Sequence, residues 1–206
     1  MTEKDEKVAA TTTKAQATKK PNKINKNLKS EVIDLDDGTK MTVVFPGTAW
    51  AQRKVYDPAS MPNGSRSLAI LYQNFMDIVI HNPQMDWSFF DDKVSESSRK
   101  RQTEVTDDDG TVHKYNLEFP GTLTILQMRD QATDALGRVL DYEFNLGIVQ
   151  NIITNKNVKD LDYFDHHNGY SELMDAATEM LIQWAQESGV YDTMGKVDNF
   201  MSRMFR

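Results

Sequence analysis

DDGTKMTVVFPGT at residues 36–48 returns as DDGTVHKYNLEFPGT at residues 108–122, and that recurrence decides how the rest of the chain reads. Asp36-Asp37-Gly38-Thr39 answers Asp108-Asp109-Gly110-Thr111, and Phe45-Pro46-Gly47-Thr48 answers Phe119-Pro120-Gly121-Thr122. Thr48 to Ile80 spans 32 positions and Thr122 to Ile153 spans 31. WSFFD (Trp87 to Asp91) and LDYFD (Leu161 to Asp165) then fall into register with one inserted residue. Three blocks in one order at nearly one spacing point to an internal duplication of a unit of about 60 residues.

Each block has a local physical reading. An Asp-Gly pair between apolar alternations is a strong hairpin signal, because glycine takes positive φ without steric cost. Met41, Val43 and Phe45 therefore share one face of a returning strand, and Tyr115, Leu117 and Phe119 take the same places in the second copy. That second strand is two residues longer, which preserves facing because side chains alternate with period two. Pro46-Gly47 ends the strand, since proline has no N–H for the ladder. Thr48 then caps a short helix, Ala49 to Tyr56, stopped by Pro58. Ser65 is read as the cap of a longer helix reaching about His81. Leu68, Leu71, Tyr72, Phe75, Met76 and Val79 give it an apolar stripe, and Asn82-Pro83 ends it. Trp87, Phe89 and Phe90 form an aromatic clamp over the helix end, with Asp86, Asp91 and Asp92 solvated. Lys93 to Arg101 (KVSESSRKR) is polar and reads as the connection between copies.

In the second copy Leu123 to Leu136 is helical at least in part, and Arg138 to Thr154 matches the long helix of the first. Leu140, Phe144, Ile148 and Ile152 make one stripe there, and Tyr142, Leu146, Val149 and Ile153 widen it to most of the circumference. Such a helix is expected to be buried on several sides and to lie at the centre of the fold. The two units are expected to share one core, since units of this size are marginal unless stacked. Beyond Asn168-Gly169, Ser171 is read as the cap of a helix to about Ser188. Leu173, Ala177, Met180, Leu181 and Trp184 form its apolar face, and Gly189 is its stop. A last helix, Tyr191 to about Met204, carries Met194, Val197, Phe200, Met201, Met204 and Phe205. Five of the 11 methionines lie at or after Met174. Methionine-rich faces repack easily, so this terminal face is the predicted surface for a partner or a second copy.

Composition narrows the chemistry. There is no cysteine, so disulfides and thiolate metal sites are excluded and a reducing compartment fits. No apolar run approaches the roughly 20 residues of a membrane helix, and no signal-peptide core is present, so a soluble, intracellular protein is expected. The net charge of -7 is uneven: residues 1–30 hold eight lysines against Glu3, Asp5 and Glu6, leaving +5 there and -12 on the remainder. The arm is too poor in apolar residues to order itself and reads as a solvated, disordered tail. No P-loop, dinucleotide fingerprint, HExxH or G-x-S-x-G occurs, so neither a cofactor nor catalysis is predicted. His166-His167 beside Asp162 and Asp165 is the nearest thing to a metal cluster, but adjacent residues of an extended segment point opposite ways. Asp107-Asp108-Asp109-Gly110 lacks the bidentate glutamate of a calcium loop, and the repeated DDGT turn accounts for it. His81 and His113 have no evident partners.

The unit resembles the tail assembly chaperones of long-tailed bacteriophages of Gram-positive bacteria, the lactococcal-phage type among them. The residues that carry the likeness are Phe45-Pro46-Gly47, Asn82-Pro83 and Phe90-Asp91 in the first copy. In the second they are Phe119-Pro120-Gly121 and Phe164-Asp165, followed by the helix of Leu173 to Trp184. The likeness covers residues 31 to 188, with Asn155-Lys156 standing where the first copy has Asn82-Pro83. It implies a non-catalytic assembly factor that binds the tape-measure protein before tail-tube subunits polymerise. Such a factor works in the host cytoplasm, is absent from the virion and has the tail-tube protein as a second expected partner; the duplication adds the expectation of self-association into oligomers or a spiral. A structural tail or neck component of the virion is the competing class. A nucleic-acid-binding protein using the basic arm is a further one, disfavoured by the acidic body.

The expected fold is α+β with helix predominating: a tandem repeat of a β-hairpin plus helices, with a C-terminal helical extension. The expected divisions are an arm (1–30), a first repeat (31–92), a linker (93–103), a second repeat (104–167) and C-terminal helices (168–206).

Overall fold

A computed structural model describes residues 29–107 and 109–206, so the reading of the basic arm lies outside the described residues. The fold is mixed α and β, about 50% helical and 18% strand, with two small antiparallel sheets.

The first hairpin pairs β1 (Ser30–Asp34) with β2 (Lys40–Val44), Glu31 opposite Val43 and Ile33 opposite Met41. Its turn is tied by Gly38 N–H to Leu35 O, and by Thr39 N–H to the Asp37 carboxylate at 2.8 Å. The second hairpin pairs β4 (Lys100–Thr106) with β5 (Val112–Glu118), and its turn repeats those bonds. Gly110 N–H reaches Asp107 O, and Thr111 N–H reaches the Asp109 carboxylate at 2.8 Å. The β4 strand starts at Lys100, inside the stretch read as linker, so the connection between hairpins is shorter than the sequence suggested.

After each Phe-Pro the chain turns at a glycine in nearly one conformation, φ 95° and ψ 149° at Gly47, φ 96° and ψ 147° at Gly121. Those angles are strained for any residue with a Cβ, which explains a glycine at both places. A helix follows: α1 (Thr48–Ala51), extended by a π turn (Gln52–Tyr56) and a 3-10 turn (Asp57–Ala59), and α4 (Thr122–Gln131). Thr48 is the first helical residue and its side chain caps nothing; Gly47 holds the cap position. The π turn absorbs one extra residue, which accounts for the spacing of 32 against 31. Pro58 does not stop the segment but sits in its first 3-10 turn, where its missing N–H costs no bond.

A tight turn then leads into the second helix of each unit. Met61 N–H donates to Ser65 O and Gly64 N–H to Met61 O, as Asp134 N–H does to Arg138 O and Gly137 N–H to Asp134 O. Ser67, not Ser65, caps α2 (Leu68–Asn74), its hydroxyl accepting from Ile70 N–H at 3.1 Å. A π turn (Phe75–Val79) extends α2, and the chain leaves it as β3 (Ile80–Asn82), so the long helix ends before His81. Ile80 is opposite Val43 and completes the three-stranded sheet. In the second unit α5 (Asp141–Asn151) is followed by Ile153, bridged to Leu117. There the Asn155 side chain takes the place of strand backbone, accepting from Asn116 N–H at 2.7 Å and donating to Lys114 O at 2.8 Å. A short helix closes each unit: α3 (Trp87–Asp91) and a 3-10 turn (Leu161–Asp165).

The last two helices are α6 (Tyr170–Ser188) and α7 (Val190–Met204), with Gly189 between them at φ 65°. Gly169, not Ser171, stands before α6. It has φ +106°, and a Cβ there would lie 2.9 Å from Val105 side-chain carbons.

Buried residues form two clusters and not the single core expected from the size of the units. The first gathers Met41, Val43, Phe75, Val79 and Phe90 with Met194, Val197, Phe200 and Met201 of α7. The second gathers Tyr115, Leu117, Ile148 and Ile152 with Leu173, Ala177, Met180 and Trp184 of α6. The C-terminal pair is thus shared out, one helix closing each hairpin unit. The long α5 is not the centre of the fold: among its residues only Ile148 and Val149 are buried, while Tyr142 is 61% exposed.

Candidate functional site

The polar groups that the fold treats most carefully lie on the seam between the two units. Asp130, near the end of α4, is buried and reaches across to the start of α2. Its carboxylate accepts from Ser67 Oγ at 2.5 Å, from Leu68 N–H at 2.9 Å and from Ala69 N–H at 3.0 Å. A helix start leaves its first N–H groups unpaired, and a carboxylate there satisfies them and complements the helix dipole. The exchange is mutual: Asp91, at the end of α3, accepts from Thr122 N–H at 2.8 Å and so caps α4 in the other unit. Asp91 is therefore a structural acceptor and not the solvated carboxylate the sequence suggested. Asn63 Nδ2 adds a bond to Thr133 O at 2.9 Å, and Leu126 of α4 is buried in the first cluster.

The connecting segment is pinned to α6. Trp184 Nε1 donates to Ser98 O at 2.6 Å, and the Glu187 carboxylate accepts from Ser95 N–H at 2.8 Å and Ser98 Oγ at 2.6 Å. Burial opposes the Glu187 charge, but the Ser98 hydroxyl, the Ser95 N–H and the Gln183 amide hold its carboxyl below the ordinary value. Arg99 donates to Asp91 O at 2.6 Å and Val94 O at 3.2 Å, tying the same segment to the first unit.

The face assigned to partners from the sequence is turned inward. Met194, Val197, Phe200 and Met201 are at most 1% exposed, and all four belong to the first cluster. Met204 packs against that cluster, and the partly exposed Phe205 ring meets Phe45 and Tyr56 at centroid distances of 5.5 and 5.7 Å. The stripe is apolar because it closes the first unit; its cover is the chain's own hairpin. Lys196 to Asp36 at 2.7 Å and Arg203 to Glu31 at 2.9 Å fix its polar flanks.

His113 does have a partner, Asp107 at 2.7 Å, whose other oxygen accepts from Asn168 N–H at 3.0 Å. His167 stacks on Tyr163 at 4.0 Å while His166 is exposed. Among the described residues no three His, Asp or Glu side chains gather as metal ligands would. An open groove beside β4 is lined by Lys100, Gln102, Asn116 and Glu118, which pair with one another: Lys100 with Glu118 at 3.1 Å, Gln102 with Asn116 at 2.8 Å.

Exposed apolar side chains concentrate elsewhere. Leu136, Val139, Leu140 and Tyr142 are 77%, 39%, 44% and 61% exposed within seven residues, on the turn before α5 and its first turn. Trp50 of α1 is 47% exposed, with Arg53 and Lys54 each 5.9 Å from its ring. The sequence reading placed Leu140 and Tyr142 in the core, and the periodicity of that stretch gave no sign of which side was open. No helix of the described chain is long and apolar enough to cross a membrane. Comparison with protein-family models, curated proteins and solved structures gives no match.

Proposed function

We propose that the chain is a tandem duplication of one hairpin-and-helix unit with a helical extension, and that it serves as a phage tail assembly chaperone for the tape-measure protein. One observation carries this reading: the residues that bear the family likeness are the ones that build each unit. Phe45 and Phe90 are buried in the first cluster, Gly47 and Gly121 set the same strand-to-helix turn, and Asp91 joins the units. The matched hydrogen bonds of the two turns support the duplication.

A tape-measure protein is a long, largely helical chain whose apolar faces aggregate when bare. Shielding it calls for many copies, modest affinity per copy and avidity through contacts between copies. In this account the chaperone acts in the host cytoplasm, yields to tail-tube subunits as the tube grows, and is left out of the virion. The test is co-expression with the tape-measure protein. The soluble fraction of that protein is expected to rise severalfold; an unchanged fraction would remove the assignment.

A further inference from the structure

We infer that copies of this chain join head to tail, the turn 136–139 and the first turn of α5 in one copy seating on the segment 48–59 of the next. The inference rests on the duplication proposed above and does not depend on the identity of the client.

Inside the chain, α4 delivers Asp130 to the start of α2. Each side of that contact has a counterpart that no other described residue covers. Ser60 N–H bonds to Asp57 O as Thr133 N–H bonds to Asp130 O, so Asp57 stands where Asp130 stands. Ser67 N–H bonds to Ala59 O as Leu140 N–H bonds to Ala132 O, so Leu140 stands where Ser67 stands. Ser67 and Asp130 are buried at the seam, whereas Leu140 and Asp57 are exposed. Asp57 is held for now by the Gln52 amide at 2.6 Å, and α5 starts without a side-chain cap.

Charge selects the occupant. The exposed first turn of α5 carries Asp141 and Glu143, and the exposed segment 52–54 carries Arg53 and Lys54. The inner seam is apolar at the matching turn, where Leu126 is buried. The outer seam therefore opposes signs where the inner one packs carbon. Opposite signs offset the repulsion that Asp57 would meet from the two acidic side chains, and make the contact reversible and salt-sensitive. The two surfaces differ, so the contact is heterologous and each added copy exposes a fresh pair.

Sedimentation velocity of the full chain, without client, tests this. The average mass of the natural sequence is expected to rise roughly twofold or more over a hundredfold increase in concentration, and to fall back in high salt. Arg53→Glu with Lys54→Glu, and separately Asp141→Lys with Glu143→Lys, are each expected to stay monomeric while keeping the native circular dichroism. An equimolar mixture of the two variants restores opposite signs at every contact and is expected to regain the mass. A natural sequence that stays monomeric throughout, or association that either variant leaves intact, or a mixture that stays monomeric, would overturn the inference. Solubilisation of a tape-measure protein is read separately by co-expression, so failure of this contact and failure of the chaperone reading are distinguishable.

Discussion

Phe200→Asp is expected to cost the fold at least about 4 kcal/mol, enough to leave much of the chain unfolded at room temperature. The Phe200 ring is 1% exposed and lies in the cluster that α7 closes. Truncating such a ring alone costs about 3–5 kcal/mol through lost burial and the cavity left behind. A carboxylate adds the penalty of an unpaired buried charge. Ser202→Asp, on the exposed side of the same helix, should stay within about 0.5 kcal/mol of the natural protein. Urea denaturation followed by circular dichroism measures both. A Phe200→Asp protein of native stability that has lost only its associations would restore the outward-facing reading of α7.

Asp130→Ala is expected to cost about 3 kcal/mol, well above the roughly 1 kcal/mol of an ordinary surface helix cap. The substitution leaves Ser67 Oγ, Leu68 N–H and Ala69 N–H without their shared acceptor in a buried place. It also severs the main polar tie between the units, so amide protection should fall at Leu68 and Ala69 before it falls in β4 and β5. Asp130→Asn keeps one acceptor oxygen and is expected to recover about half of the loss. A loss near 1 kcal/mol for Asp130→Ala, measured by urea denaturation, would mean that water replaces the carboxylate and that the seam is loose.

Local chemistry was legible wherever its cause was local. Asp37-Gly38 and Asp109-Gly110 placed both hairpin turns, and period two placed Met41, Val43, Tyr115 and Leu117 inward. The α6 face of Leu173, Ala177, Met180 and Trp184 followed from helical spacing alone. What failed were questions of which element covers which. The stripe of α7 reads the same whether a partner or the first hairpin lies over it, and only the chain path decides. Arg138 to Thr154 has apolar residues all round, yet α6 covers one side and leaves Leu140 and Tyr142 open. Ile80 continues the apolar run of α2, so its role as a strand depends on Val43, far away in the sequence. Asp91 and Asp130 were invisible as capping groups for the same reason: their acceptor roles are met by N–H donors more than 30 residues distant.

The number of chains bound per tape-measure protein, measured by light scattering on the co-purified complex for a series of client lengths, tests the chaperone account most directly. The account predicts a stoichiometry that grows in proportion to client length, because repeated units coat a long helical chain. A fixed one-to-one complex at every length, or no complex at all, would contradict it.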